Sequence, residues 1–391
     1  MRCFRVAGAP FAALLLYACA TPTPPAPTMT TPVRPAIALP APSSAPKNFS
    51  AATGGLSFAD LPGWDVEDHA GALRAFAAGC GVSRDPDLRL VCGRARALGL
   101  ADEPRARAFL EANFRAERIG DQGLLTAYFA PSYEARSSED GPFTAPVRAR
   151  PADLVTFDLG PFDPGLAGRK LSGRVDGGRL TPYPDRAEIE AARPDHALAW
   201  MKPEELFFLQ IQGSGVLTLP DGRRLKAVFS ASNGKPFVPI ARILRDRGAL
   251  PDNNTSGDAV LAWLAAHRGP EADEVMRQDP RYVFFNLEPD NGREPAGTAG
   301  VSLIPGRALA VDPTEHPMGG LYWIDARAPR LSGAFPVYQR LAMALDSGGA
   351  IKGAVRADLY AGSGPVAGRE AGRVRHVLTL YRLAPIATPN P

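Results

Sequence analysis

The spacing of apolar positions changes several times along the chain and divides it into tracts. From residue 65 the period is helical: Leu73 and Phe76 fall on one face, and Phe109, Leu110 and Phe114 take the spacing of an amphipathic helix starting near Asp102 and Pro104. Gly123-Leu-Leu-Thr-Ala-Tyr-Phe-Ala-Pro-Ser-Tyr133 then alternates and carries β-branched and aromatic side chains, the pattern of a strand entering a loop. Short strands, hairpins and a few helices follow between residues 131 and 292. Residues 217–229 predict a hairpin turning at Pro220-Asp-Gly222. Residues 239–248 and 258–269 predict helices, the second N-capped by Asp258 and both closed by glycine. The pattern returns to strands over 307–312, 321–324, 340–345 and 373–381. A mainly β fold with peripheral helices is expected, and no internal repeat is visible.

Ahead of these tracts, Arg2 and Arg5 precede a short apolar run, Phe11-Ala-Ala-Leu-Leu-Leu-Tyr-Ala-Cys19, too short to cross a bilayer and laid out as a secretory signal. Its end, Leu16-Tyr-Ala-Cys19, resembles the lipobox of bacterial lipoproteins, in which the cysteine is lipidated; a plain cleaved signal is the alternative. Nine prolines lie between positions 22 and 46, so the following segment reads as a tether. At about 3.1 Å per residue in polyproline geometry it would reach on the order of 90 Å. Ala20, rather than Asp, after Cys19 is similar to lipoproteins retained at the outer membrane.

Composition adds little beyond foldability. An apolar share of 45% and a charged share of 22% are ordinary for 391 residues, a length suited to about two domains. A net charge of +3 with no basic run excludes nucleic acid as the expected partner. With Cys3 in the signal and Cys19 lipidated, Cys80 and Cys92 remain in an exported chain, which favours a disulfide over two buried thiols.

The stretch 346–364 concentrates the candidate chemistry. It sets Asp346 and Asp358 twelve positions apart across a glycine-rich turn, with Gly348, Gly349 and Gly353 permitting close backbone approach and positive φ. Both aspartates could equally cap turns. The histidines His69, His196, His267, His316 and His376 show no ligand spacing, so no metal is expected. Gly362-Ser-Gly364 with Gly368 lacks the dinucleotide spacing, and Gly213-Ser214-Gly215 lacks the serine-hydrolase elbow. Carboxylates, amides, hydroxyls and aromatics remain. Thr126, Tyr128, Gln210, Gln212 and Ser214 could hydrogen-bond sugars, while Tyr128, Phe129 and Trp200 offer stacking faces.

Several separated segments carry a resemblance: Thr126-Ala-Tyr-Phe129, Arg186-Ala-Glu-Ile189, Gln212-Gly-Ser-Gly215, Ser232-Asn-Gly234, Tyr282-Val-Phe-Phe285, Val311-Asp-Pro313, Asp346-Ser-Gly-Gly-Ala-Ile-Lys-Gly353, Asp358-Leu-Tyr360 and Gly364-Pro-Val-Ala-Gly368. In order and spacing, from about residue 60 to 385, they resemble the membrane-bound lytic murein transglycosylase A family with its C-terminal three-aspartate domain. The resemblance implies a double-psi β-barrel assembled from residues 49–130 and 293–385, interrupted by an inserted, barrel-like β domain at 131–292, with the substrate groove between them. Residues 1–19 would be the lipoprotein signal, 20–48 the tether and 386–391 a tail. Ala127 and Phe129 depart from the family's Thr-Gly-Tyr-Tyr-like segment, and one extra residue separates Asp346 from Asp358; both bear on loop shape rather than mechanism.

The implied activity is non-hydrolytic cleavage of the MurNAc-GlcNAc β-1,4 bond of peptidoglycan, leaving 1,6-anhydro-MurNAc ends. Asp358 matches the single catalytic acid, and Asp346 and Asp312 match the two supporting aspartates. Thr126, Tyr128, Gln212, Gly213, Ser214, Gly348, Gly349 and Lys352 are the expected substrate-binding positions. No cofactor is implied. The expected partners are peptidoglycan glycan strands, the outer membrane through a lipid on Cys19, and other cell-wall enzymes, with the protein on the periplasmic side of that membrane. A general acid at neutral pH needs a carboxyl pKa raised above about 3.9, so Asp358 should be partly buried and Asp346 should either couple to it or order the turn. Lys352 should face away or contact substrate. The competing readings are a non-catalytic glycan-binding lipoprotein on the same fold and a glycan hydrolase.

Overall fold

The helical tract becomes three short helices, α1 (His69–Gly79), α2 (Pro86–Leu98) and α3 (Glu103–Asn113), in a computed structural model that describes residues 56–193, 196–251, 254, 256–328 and 335–386. The signal, Cys19, the tether and residues 387–391 lie outside the described residues. Each helix starts at an aspartate whose carboxylate accepts first-turn N–H groups: Asp68 from Gly71, Asp85 from Asp87 and Leu88, and Asp102 from Arg105. Cys80 and Cys92 are bonded, with Cα atoms 5.6 Å apart, and fasten the end of α1 to α2.

Phe114, placed on α3 by its spacing, instead opens strand β1 (Phe114–Ala130). It pairs with Pro385 across the sheet, and this ladder draws the backbone out of helical geometry. Its ring still reaches the core expected of it, 5.4 Å from that of Phe76.

The intervening segment holds strands β2 (Ser132–Glu134), β3 (Ala145–Val147), β4 (Val155–Asp158), β5 (Lys170–Asp176) and β6 (Arg179–Pro182), then α4 (Arg186–Ala191), β7 (Ala199–Met201) and α5 (Pro203–Gln212). The expected hairpin follows as β8 (Ser214–Thr218) and β9 (Arg224–Ser232), with Gly222 at φ 82° in its turn. Next come α6 (Ile240–Asp246), α7 (Gly257–Ala266), α8 (Pro270–Arg277) and β10 (Val283–Pro289). The N-cap of α7 is Ser256, whose hydroxyl accepts from Ala259, not Asp258, which lies inside the first turn. A barrel-like insert was the expectation; the strands fall into three separate sheets, β10-β9-β8-β2, β3-β7 and β4-β5-β6. No continuous ladder joins them, although β3, β7, α5, β8, β9 and β10 share one apolar core through Val147, Met201, Leu209, Leu217, Ala227 and Phe285.

The last tract supplies β11 (Ala308–Val311), β12 (Leu321–Arg327), β13 (Val337–Ser347), β14 (Arg356–Ser363), α9 (Gly364–Ala371) and β15 (Arg375–Pro385). With β1 they close a six-stranded barrel in the order β1-β14-β11-β13-β12-β15. Every strand sends alternate residues inward: Leu125, Leu309, Val311, Tyr322, Ile324, Ala342, Ala344, Leu359, Leu378 and Leu380 fill the interior. The opposite face of the same strands, including Leu321, Trp323, Leu341, Met343 and Leu345, packs against Trp64, Leu73, Phe76 and Leu110 of the helical layer. Closure leaves no free sheet edge, and it joins β1, before the insert, to β14 and β15, after it.

The disulfide closes a loop of 12 residues in sequence. Replacing both cysteines by serine should lower the unfolding free energy by about 3 kcal/mol, read as a lower urea midpoint with unchanged m-value. Adding reductant should move the wild type, and not the double variant, by the same amount.

Candidate active site

Strand alternation alone would bury Asp346. Along β13, Ala342 and Ala344 point into the barrel and Leu341, Met343 and Leu345 point out, so position 346 is due to face inward. The β11 register shows why it does not: Leu309 pairs with Ala344, but Ala310 pairs with Asp346. One extra residue in β13 makes a bulge that rotates Asp346 to the outer face. On its other side Ala310 pairs with Asp358 of β14. The two aspartates therefore flank one alanine on one face, about 10 Å apart at the backbone from two inter-strand spacings of about 4.8 Å. Thr126 and Tyr128 of β1 stand in register with Asp358 and Tyr360 and extend this row.

Asp358 keeps a partly open surface within a dense shell of protein. The Thr126 hydroxyl donates to its Oδ1, and Nη2 of Arg356 donates to the Thr126 hydroxyl oxygen at 2.8 Å. The guanidinium occupies an acceptor position on that oxygen, so the single hydroxyl proton is directed at Asp358. With Oδ1 committed as an acceptor, a proton carried by Asp358 belongs on Oδ2. Burial raises the Asp358 pKa; the Arg356 charge and the Thr126 hydrogen bond oppose this, and the charge of Asp346 adds to it.

Asp346 accepts three hydrogen bonds: from the Tyr128 hydroxyl (2.7 Å) to Oδ2, and from the N–H groups of Thr298 (2.9 Å) and Ser347 (2.8 Å) to Oδ1. Burial nevertheless raises its pKa against these donors. Asp346 thus both couples to Asp358 and orders the start of the turn. The Tyr128 ring lies 5.2 Å from that of Tyr360, whose hydroxyl donates to Glu294 at 2.5 Å.

Asp312 does not join the pair. It follows β11 and accepts from the N–H and hydroxyl of Thr314 and the N–H of Gly353, with the Lys352 ammonium 3.5 Å away. Burial works against its charge, but these donors outweigh it and hold its pKa low. It braces the far end of the 348–353 turn, and Lys352, mostly exposed, is turned toward it. Of the turn glycines, only Gly353 has positive φ, 104°. Gly348 and Gly349 do not need it; side chains there would run into Ile351 and Arg281.

From the insert, Gln212 ends α5 and its Oε1 accepts the Phe129 N–H at 3.1 Å, docking the insert on β1 next to Tyr128. Gly213 (φ 83°) is the C-cap of α5, and Ser214 opens β8 opposite Val228. Gln210 is buried inside the insert, bonded to Arg186 and Val283, and Trp200 of β7 pairs with Pro146 of β3; neither stands in the aspartate row. The residue that sequence reasoning missed is Arg356. Its signal was available, since it lies two positions before Asp358 on one strand and must share its face. Among the described residues no cluster of three or more His, Cys, Asp or Glu side chains could hold a metal ion, and no helix is long and apolar enough to cross a membrane.

This arrangement has known counterparts. The family pattern "MltA specific insert domain" matches residues 124–286 and the "3D domain" pattern matches residues 307–384. The membrane-bound lytic murein transglycosylase A of Vibrio cholerae is 31% identical over 271 residues, 66% of this chain. The chain spans 65% of that relative's length. The crystal structure of a membrane-bound lytic murein transglycosylase from Agrobacterium tumefaciens superposes with a TM-score of 0.72 at 32% identity, covering 85% of this chain and 97% of that one. Escherichia coli MltA with bound chitohexaose gives 0.63 at 25% identity, covering 82% and 91%.

The neighbours of Asp358 set the sign of its titration. In a carboxyl-carbon NMR titration Asp346→Asn should lower the Asp358 pKa and Arg356→Gln should raise it. Because the folded carboxyl holds its proton to higher pH than the unfolded one (about 3.9), this group's contribution to stability falls as pH rises from the unfolded to the folded pKa. Urea unfolding across pH should show a shallower decline in Asp358→Asn than in the wild type, the remainder including the contribution of Asp346, whose pKa is also raised.

Proposed function

We propose that this chain, which belongs to the membrane-bound lytic murein transglycosylase A family, cleaves the β-1,4 bond between MurNAc and GlcNAc in peptidoglycan without water, leaving a 1,6-anhydro-MurNAc end. The observation that carries this reading is the Asp358 carboxyl: raised in pKa, accepting from Thr126 at Oδ1 and leaving Oδ2 as the proton-bearing oxygen. The chitohexaose bound by the Escherichia coli relative is a β-1,4-linked N-acetylglucosamine chain, which supports a glycan running along the row Thr126, Tyr128, Asp358 and Asp346.

Most glycosidases need two catalytic carboxyls, but a substrate that brings its own nucleophile needs one. Protonated Asp358 gives its proton to the glycosidic oxygen as the bond from C1 to that oxygen breaks. The acetamide oxygen of MurNAc shields the developing positive charge. The Asp358 carboxylate then takes the proton of the MurNAc 6-hydroxyl as O6 closes on C1. Bonds and protons balance, and the acid is regenerated.

Asp346 keeps the Asp358 proton in place by its charge and holds Tyr128 at the groove. Asp312 braces the 348–353 turn, so that Gly348, Gly349 and Lys352 border the glycan, with Gln212, Gly213 and Ser214 on the insert side. The double-psi connection of the barrel, lipidation of Cys19 and placement at the periplasmic face of the outer membrane belong to the same reading, supported by the segment order and the lipobox-like Leu16-Tyr-Ala-Cys19.

Asp358→Asn should reduce release of soluble fragments from purified sacculi by about 10³-fold, within the range for loss of a general acid. Wild-type activity should fall as pH rises through the raised Asp358 pKa, because the reaction starts from the protonated acid. Mass spectrometry of the products decides the reaction class: anhydro ends, one water lighter than reducing ends, are expected. Reducing ends would replace this reading with hydrolysis, and no soluble product with binding alone.

A further inference from the structure

Two segments singled out by the sequence, Arg186-Ala-Glu-Ile189 and Ser232-Asn-Gly234, have no place in the chemistry above. In the structure they hold one short piece of chain, Pro280-Arg281-Tyr282. The buried Arg186 guanidinium donates to the carbonyls of Asp279 (2.9 Å) and Arg281 (2.5 Å). The buried Asn233 side chain donates to the Pro280 carbonyl (2.8 Å) and accepts from the Tyr282 N–H (2.9 Å). Asp279, itself buried, accepts the Arg281 N–H at 3.2 Å. The backbone on both sides of Arg281 is therefore fixed by buried groups, a rigid mounting for one side chain.

That side chain crosses from the insert to the glycine turn of the barrel. A Cβ added at Gly349 would lie 2.2 Å from Nη1 of Arg281, so the guanidinium lies against the turn that links Asp346 to Asp358. It is half-buried and, among the described residues, its side chain makes no hydrogen bond or ion pair. Burial disfavours its charged form, while the charge of Asp279 attracts it and that of Arg186 repels it. A desolvated cation with five donors and no acceptor in contact is poised for a planar anion, which a guanidinium binds bidentately.

We propose that Arg281 binds a carboxylate on the muramyl side arm of the glycan, the lactyl group itself or the peptide stem attached to it. This rests on the glycan-cleaving reading above. The sugar backbone is neutral, so the side arm is where peptidoglycan offers an anion. An anion held at Gly349 would fix which sugar of the alternating chain carries its side arm next to the turn, and hence which linkage meets Asp358.

The test measures binding in the Asp358→Asn background, where no turnover is expected, with three oligomers: neutral chitohexaose, stem-bearing glycan strands, and strands stripped of stems by an amidase so that the lactyl carboxylate is free. Adding Arg281→Met should raise Kd about tenfold for one or both anionic strands and change chitohexaose binding less than twofold. Arg281→Lys should recover part of the loss, and the difference should shrink in high salt. A loss confined to stripped strands assigns the lactyl carboxylate; a loss confined to stem-bearing strands assigns the peptide. Equal loss on chitohexaose, or no change on either anionic strand, overturns the proposal. Failure of the activity reading is seen separately, as wild-type protein that releases no anhydro ends from sacculi.

Discussion

The one-residue bulge in β13 is the constraint on which the candidate site depends. Ala344 pairs with Leu309 and Asp346 with Ala310, and the residue between them has no partner on β11. A bulge interrupts the ladder and bends the strand. Here the interruption turns a carboxylate that alternation would point into the apolar barrel interior out to the face where Asp358, Thr126 and Tyr128 stand. Tyr128 and the N–H groups of Thr298 and Ser347 receive it there.

Electrostatics then gives the three aspartates different behaviour with one side-chain chemistry. Asp312 has several donors at an edge of the barrel and stays charged. Asp346 has three donors, yet its burial prevails. Asp358 has one direct donor and one nearby guanidinium, too few to offset its desolvation and the field of Asp346. The relay from Arg356 through Thr126 adds direction: it fixes which oxygen accepts and so which can carry a proton. Positioning and protonation state arise from the same few contacts.

The insert contributes by being mounted on the barrel rather than by closing a core with it. Gln212 docks on the Phe129 N–H, and Arg281, held by Arg186 and Asn233, lies against Gly349. Both contacts flank the row of site residues, one beside Tyr128 and one on the turn between the aspartates. Gly349 does not have positive φ, and a side chain there would push the Arg281 guanidinium off the turn.

The sequence by itself determined most element types, the family and the stretch that holds the candidate site. Alternation in β13 and β14, the hairpin at Gly222 and the helical period through Leu73 and Phe76 are local consequences of side-chain spacing, and local patterns survive folding wherever a buried face enforces them. The same reasoning erred at Phe114 and Asp258, where a ladder to Pro385 and a better cap at Ser256 decided the matter. Only the tertiary structure decided which face Asp346 occupies, that Asp312 stands apart as a brace, and that Arg281 reaches Gly349. A twelve-residue spacing between aspartates carries no information on facing once a bulge shifts the register by one, and contacts between residues 68 positions apart exist only after the barrel has closed around its insert.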